Sequence, residues 1–125
     1  MIDFKNSSFI KMKLTNPEVV FNDIKPLLID GEDIIGVYKA MRDYCVFTTK
    51  RVISVNVQGM TGKKRDYTSL PYSKVSAYSV ETAGVLDLDS ELEMYFSGLG
   101  KVKFEFTGNS NIVAIGKAIS QYILK

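Results

Sequence analysis

The chain of 125 residues contains no histidine and only one cysteine. Without histidine it lacks the usual general base near neutral pH and the commonest metal ligand. Cys45 lies in an apolar run, residues 44–47, and we interpret it as a small core residue, since a lone cysteine forms neither an intramolecular disulfide nor a thiolate cluster. We therefore predict a protein that is not an enzyme, with no catalytic residue, no metal site and no cofactor.

Long apolar runs are absent as well. No segment approaches the roughly 20 apolar residues of a membrane-spanning helix, and residues 1–14 contain no signal-peptide core. We expect a cytoplasmic protein. The formal net charge of +2 is close to balance, so a nucleic-acid partner is not expected from overall charge.

The first part of the chain has helical signals. Asn16-Pro17-Glu18 is typical of a helix start, with a capping side chain, proline in the first turn and an acid behind it. Val20, Ile24 and Leu27 follow at helical spacing, and Pro26 predicts a break near Lys25. We assign residues 1–29 to an N-terminal helical extension and residues 30–125 to the main domain.

Alternating patterns begin after Glu32 and predict about seven antiparallel strands joined by short turns. The final segment predicts a helix that is capped by Ser110 and buries Ile112, Ile115 and Ile119 along one stripe. The fold class is mainly β (α+β). Because a meander of this length leaves exposed edges, we expect the sheet to curl into a barrel or to pair with another chain.

A basic loop, Gly59–Arg65, is the most suggestive motif. It is not a phosphate-binding P-loop, since only two residues separate its glycines and a strand follows instead of a helix. Asp66 follows directly, which disfavours nucleic acid. The cations at hairpin ends are expected to cluster, and the candidate anion- or partner-binding residues are Lys50, Arg51, Lys63, Lys64 and Arg65. A solvated turn and a membrane-headgroup contact remain the two alternatives.

The acidic residues around Asp87, Asp89 and Glu91 resemble the start of a calcium loop. They lack the glycine and the distal glutamate that an EF-hand loop requires. Strand alternation predicts Glu91 and Glu93 on the solvent face, so we interpret the carboxylates as a charged exterior.

In combination, several short segments resemble the bacterial pleckstrin-homology-like (PH-like) domains in their single-domain form. The resemblance covers roughly residues 30–124. The matching segments are Gly31-Glu32, residues 49–53, Gln58-Gly59, Gly62-Lys63-Lys64, residues 71–75, residues 81–84 and residues 87–92.

The resemblance implies a bent, seven-stranded antiparallel barrel that is capped by the C-terminal helix. It implies no enzymatic activity. It also implies homo-oligomers that close into cyclic rings, with pentamers as the expectation. A repeated head-to-tail contact around a closed ring would pair the sheet edges of each subunit with those of its neighbours.

The lipid-binding pattern of PH domains is only partly present. Phosphoinositide-binding members place their cations around the turn between their first two strands. Here that turn is Met41–Tyr44, with one cation, Arg42, and an adjacent acid, Asp43. Our leading hypothesis is thus a ring-forming, non-catalytic module for an unknown protein partner. The alternative is a peripheral binder of anionic phospholipid headgroups through Gly59–Arg65.

Overall fold

A computed structural model describes residues 1–4, 9–86, 88–108 and 110–125. Its described residues form one eight-stranded sheet with two α-helices, α1 and α2. The elements are β1 (Phe9–Thr15), α1 (Phe21–Ile24), β2 (Ile34–Ala40), β3 (Asp43–Thr48), β4 (Arg51–Gln58), β5 (Lys64–Pro71), β6 (Val75–Glu81), β7 (Ser90–Phe96), β8 (Gly100–Phe106) and α2 (Ile112–Ile123).

The strand order is β5-β4-β3-β2-β1-β8-β7-β6. Neighbouring strands are antiparallel except β1 and β8, which run parallel. The mainly β fold class with a C-terminal helix is confirmed. Our strand count was too low by one, because Phe9–Thr15 is a strand inside the segment for which we predicted only helix. β1 joins the two halves of the sheet, and the division of the chain at residue 30 stays a prediction.

The N-terminal turns cover the outer face of β2, β3 and β4. Asn16 caps the first turn, where its side chain accepts a hydrogen bond from the Glu18 backbone N–H at 3.0 Å. α1 ends at Ile24, and a 3-10 turn that contains Pro26 follows it, as predicted. Val20 and Ile24 are buried in a cluster with Val37, Tyr44, Val46, Ile53 and Val55. Both faces of these central strands are therefore buried.

The inner face holds the main core, which α2 covers. Ile112, Ile115 and Ile119 pack with the strand residues of this cluster, as the helical stripe predicted. Tyr38, Phe47, Phe104 and Phe106 are fully buried there, and several of their rings meet edge to face or tilted. Such ring geometries suit the aromatic quadrupole.

The predicted helix cap was wrong by one residue. Asn111 is the N-cap residue of α2, and its side chain makes no capping hydrogen bond. Ser110 is buried, and its carbonyl accepts a hydrogen bond from the Tyr38 hydroxyl at 2.5 Å. Its own hydroxyl lies 2.9 Å from that of Ser90. Tertiary contacts thus occupy the side chain that local sequence would assign to the helix end.

The sheet bends around α2 but is not closed, since β5 and β6 are its two end strands. α2 packs against β2, β6 and β7. Within the described ranges no helix has the length and apolar character that a membrane crossing requires.

Candidate functional site

The five predicted cations lie in two separate places. Lys50 and Arg51 stand at the start of β4, and Lys63, Lys64 and Arg65 follow its other end. β4 has eight residues, so a strand length of roughly 25 Å separates the groups. The expectation that all five would cluster was wrong, because the two turns flank β4 at opposite ends.

Arg51 is committed to internal contacts. Its Nε and Nη2 atoms donate to the two carboxylate oxygens of Glu32, both at 2.9 Å. It also donates to the Leu27 carbonyl at 2.6 Å and to the Ser69 hydroxyl at 2.9 Å. The Glu32 side chain is fully buried, and that of Arg51 is only 21% exposed. Arg51 therefore ties the start of β4 to the N-terminal segment, and its donors are not available to a ligand.

The Glu32 carboxylate is stabilised in its charged form. Burial alone raises the pKa of Glu32, but hydrogen bonds from Arg51, the Thr48 hydroxyl and the Ile29 backbone N–H outweigh burial and lower that pKa overall. Hydrogen bonds to an ionised group are stronger than those between neutral groups. The ion pair of Arg51 and Glu32 holds the start of β4 to the N-terminal segment, and we call it the clamp.

At the other end of β4, two turns stand side by side. The β2–β3 turn carries Met41 and Arg42, and the β4–β5 turn spans residues 59–63. Arg42 donates to the carbonyls of Gly59 and Val57 at 2.7 and 2.8 Å. Asp43 accepts from the Val57 backbone N–H at 2.9 Å. These contacts fix one turn against the other, and we call residues 41–42 with residues 59–63 the paired turns.

Of the three cations in and after the second turn, one is paired. Arg65 donates to the Asp23 carboxylate of α1 at 2.6 Å. That hydrogen bond raises the pKa of Arg65 further. Lys63 and Lys64 are exposed and form no ion pair with the described residues. They are the predicted site residues at this end that remain available to an external anion.

A surface cavity of about 290 Å³ opens between the paired turns and the N-terminal turns. Its charged lining consists of Lys39, Arg42, Arg65 and Asp23. Sequence reasoning missed Lys39, Met41 and Arg42 as members of this site. The available signal was the meander itself, because alternate hairpin turns of a meander lie at the same end of the sheet.

A second exposed feature is the end strand β6. Val75, Tyr78 and Val80 pack on the main core, and the Tyr78 hydroxyl donates to Ser120 of α2 at 2.8 Å. The other side chains, Ser76, Ala77, Ser79 and Glu81, are exposed. On the neighbouring strand Tyr95 is 53% exposed beside Ala77, its register partner.

The carboxylates of β7 pair across the sheet. Glu91 lies 3.1 Å from Lys103, and Glu93 lies 4.0 Å from Lys101. Among the described residues no group of three or more acidic or cysteine side chains could bind a metal ion. Cys45 is fully buried, as predicted, and burial raises the pKa of its thiol, which disfavours the thiolate.

The family model of the bacterial PH domain matches residues 3–123. The chain belongs to the bacterial PH domain family. This bacterial PH domain is similar to the protein YjqA of Bacillus subtilis (strain 168), with 43% identity over 81% of this chain and 82% of that protein. It is also similar to YozO of the same strain, with 26% identity over 80% of this chain and 86% of YozO.

Two crystal structures resemble this bacterial PH domain. One is a DUF1696 family protein with a pleckstrin-homology domain from Shewanella loihica PV-4. It has 34% identity and a TM-score of 0.77, over 91% of this chain and 98% of the other. The second is a pleckstrin homology domain from Shewanella amazonensis SB2B. It has 36% identity and a TM-score of 0.66, over 96% and 94% of the two chains.

Proposed function

We propose that this bacterial PH domain is a non-catalytic interaction module. Its copies assemble through their sheet edges into a cyclic ring, and the ring presents a composite surface to a protein partner. The observation that carries the proposal is the end strand β6. It has seven residues without lysine or proline, and its register with β7 shifts once, between Val75 and Ala77. From Ala77 onward the strand is regular and exposes Ala77, Ser79 and Glu81. Natural edge strands are usually blunted by lysine, proline, bulges or a cover, so the regular stretch, residues 77–81, favours pairing with another chain because it has no lysine, proline or bulge.

The opposite end strand is the natural acceptor. Lys64 and Arg65 at its start and Pro71 at its end blunt the two ends of the β5 edge, so the stretch that can accept β6 is its middle, residues 66–70. A contact from β6 of one copy to β5 of the next is heterologous, and a heterologous contact closes into a ring when the rotation allows it. The expectation of five subunits rests on the resemblance to PH-like domains described above.

The surface beside β6 suits a protein contact. Tyr95 combines apolar area with a polar tip, as residues enriched in protein interfaces do. Ala77 and Tyr95 line the same shallow cavity of about 170 Å³, together with Lys101. An adjoining chain that extends the sheet at β6 would cover this apolar area.

The test compares the solution masses of Ser79→Lys and wild type by light scattering after size exclusion. Ser79 is exposed and faces Glu93 across the sheet, so the lysine gains a cross-strand ion pair within the monomer and places a charge on the edge. We expect the variant to fold with an unchanged melting temperature and to elute mainly as a monomer. Ala114→Lys adds the same charge to an exposed position of α2 and should keep the wild-type mass.

Equal masses for Ser79→Lys and wild type would remove β6 from the assembly contact. A wild-type mass of two protomers would contradict the ring and indicate an isologous dimer instead. Contact of the Gly59–Arg65 loop with anionic lipid, the alternative expected from the sequence, uses a different part of the molecule and is compatible with assembly.

A further inference from the structure

Two exposed apolar side chains follow the end strand β6. The strand ends at Glu81, and Val85 and Leu86, shortly after it, are 93% and 99% exposed. Neither side chain belongs to a core cluster of the described residues. Adjacent apolar side chains that stand fully in water are typical of a contact with another molecule. We call residues 82–86 the apolar loop.

The apolar loop lies at the end of the sheet opposite the paired turns, which we call the far end. β2 runs toward the paired turns, so its antiparallel neighbour β1 runs away from them, as does β8, which is parallel to β1. β7 is antiparallel to β8 and β6 is antiparallel to β7, so β6 also runs away from the paired turns. β5 starts directly after the paired turns and ends at the far end, where the Tyr72 N–H donates to the Lys50 carbonyl at 3.1 Å. Both end strands therefore run toward the far end.

A second exposed apolar group lies at the far end, beside β5. Ile29 is 58% exposed and Leu27 is 37% exposed, and we call these two residues the acceptor patch. The Leu27 carbonyl and the Ser69 hydroxyl of β5 both accept hydrogen bonds from the Arg51 guanidinium. The Ile29 N–H donates to the buried Glu32 carboxylate at 3.1 Å. The clamp therefore holds the acceptor patch next to β5 before any contact, which lowers the cost of binding.

The contact between the strand edges is too small to hold an assembly by itself. The regular stretch of β6, residues 77–81, is about 17 Å long. A stable interface buries roughly 800 Å² on each partner, which is far more than one short strand edge provides. The remaining area has to come from surface that adjoins the two edges. The apolar loop adjoins β6, and the acceptor patch adjoins β5.

We propose that the apolar loop of each copy packs on the acceptor patch of the next copy, with β6 of the first copy parallel to β5 of the second. This inference rests on the proposed contact between the β6 and β5 edges. When all copies turn the same end to the same side of the ring, two strands that both run toward the far end meet in parallel. Parallel pairs are slightly less stable per residue than antiparallel pairs, so the apolar contact supplies the stability that the strands lack.

The charges at the far end fit this alignment. Glu81 lies opposite Glu91 in the strand register, and Glu91 already pairs with a lysine. Like charges directly opposite each other destabilise a sheet, and no ion pair of the described residues includes Glu81. The parallel alignment brings Glu81 toward the end of β5 in the next copy, where Lys50 is exposed. Asp30 and Asp33 lie in the turn before β2, so this attraction adds to the apolar contact and does not replace it.

The experiment is disulfide trapping of the full chain with one cysteine at each side of the contact. A disulfide requires Cα atoms within about 7 Å, so Leu86→Cys/Ile29→Cys joins neighbouring copies only if the apolar loop reaches the acceptor patch. After mild oxidation with copper phenanthroline we expect a ladder of linked copies on a non-reducing denaturing gel, which reductant collapses to one band. Leu86→Cys alone and Ile29→Cys alone should give at most a dimer band. Cys45 is fully buried and takes no part.

The same method tests the strand direction. An antiparallel contact would bring the apolar loop to the paired turns of the next copy and would link Leu86→Cys/Met60→Cys, for which we expect no ladder.

A second pair of variants tests the apolar contact without cysteine. Val85→Ser/Leu86→Ser should raise the concentration of half-maximal assembly by about tenfold or more, with the melting temperature of wild type because both side chains are exposed. Met60→Ser is the matched control. It removes an equally exposed apolar side chain at the paired turns and should assemble as wild type does.

The possible failures are distinguishable. A wild-type ring with no ladder in Leu86→Cys/Ile29→Cys would overturn the inference and leave the edge contact standing. Equal assembly of Val85→Ser/Leu86→Ser and wild type would do the same. A ladder in Leu86→Cys/Met60→Cys would show the antiparallel alignment and overturn the parallel one. A monomeric wild type would overturn the edge contact and this inference together.

Discussion

At the scale of single residues, the arginines and the lysines near the two ends of β4 have different roles. Arg51 and Arg65 form close ion pairs with Glu32 and Asp23, while Lys50, Lys63 and Lys64 are exposed. Removing one partner of a buried, bidentate pair leaves the other charge buried without its partner, which costs more than breaking an exposed pair. Arg51 is thus a stability residue, and the exposed lysines are the ones available for binding.

Glu32→Gln tests the clamp. The change removes the negative charge and one strong acceptor from Arg51, and we expect it to lower the free energy of unfolding by about 2 kcal/mol. Urea denaturation at neutral pH measures this difference. Lys50→Ala changes the exposed residue next to Arg51 and should stay within about 0.5 kcal/mol of wild type. A larger effect at Lys50 than at Glu32 would contradict the assignment of the clamp.

The stability difference between wild type and Glu32→Gln should depend on pH. The pKa of Glu32 is lowered by folding, so its contribution is fully present above the unfolded value of about 4.3 and is lost as the pH falls through the lowered folded value. The stability difference between wild type and Glu32→Gln should therefore be constant from about pH 7 to pH 5 and shrink below about pH 4. A difference that stays constant or grows on acidification would rule out the ionised carboxylate as its source.

The residue scale also shows what the sequence could indicate about the site. The excess of lysine and arginine near Gly59 is local and visible in the sequence. The partners of the arginines are not visible in the sequence, because Glu32 lies 19 positions from Arg51 and Asp23 lies 42 positions from Arg65. Pairing over such separations is decided by the sheet register, so composition alone could not distinguish a structural arginine from an exposed lysine.

At the scale of elements, the close approach of α2 to β6 depends on Gly116. A Cβ atom at this position would lie 2.8 Å from a methyl group of Val80. Glycine lowers helix propensity, and the contact with β6 gives the reason for its presence in the middle of α2. Because Val80 belongs to the end strand, this packing also holds β6 in place.

Gly116→Leu should separate α2 from β6. Overpacking of a well-filled contact costs about 2 kcal/mol, and we expect a melting temperature lower than that of wild type by several degrees, as roughly 4–8 °C per kcal/mol is typical of small domains. Ala114→Leu introduces the same side chain at an exposed position of α2 and should leave the melting temperature almost unchanged. Equal melting temperatures for both variants would contradict the packing described for Gly116.

Elements differed in how well the sequence predicted them. β7, β8 and α2 follow strict apolar periods, and the predicted inward residues Leu92, Met94 and Phe104 are fully buried. β1 was missed, because it is not part of a short hairpin, its register shifts between Phe9 and Met12, and Lys11 has a positive φ of 56°. Its pairing with β8 joins residues far apart in sequence, and a local pattern contains no information on such a partner.

At the scale of the whole molecule, the exposed features divide between an edge and an end. The end strand β6 forms one edge of the sheet, with Tyr95 exposed on the neighbouring strand β7, while the paired turns with Met41 and Met60 lie at the ends of the strands. Self-assembly through the edge would leave the paired turns available. Under the assembly that we propose, the copies of this bacterial PH domain would repeat the paired turns around the ring.

The solution mass of the wild-type chain at two protein concentrations tests the central claim of edge-mediated assembly most directly. Light scattering after size exclusion should give a mass near five protomers of 14.0 kDa each, independent of concentration, since a closed ring leaves no free edge. A monomer at both concentrations would contradict the account, because β6 would then stay unpaired in solution.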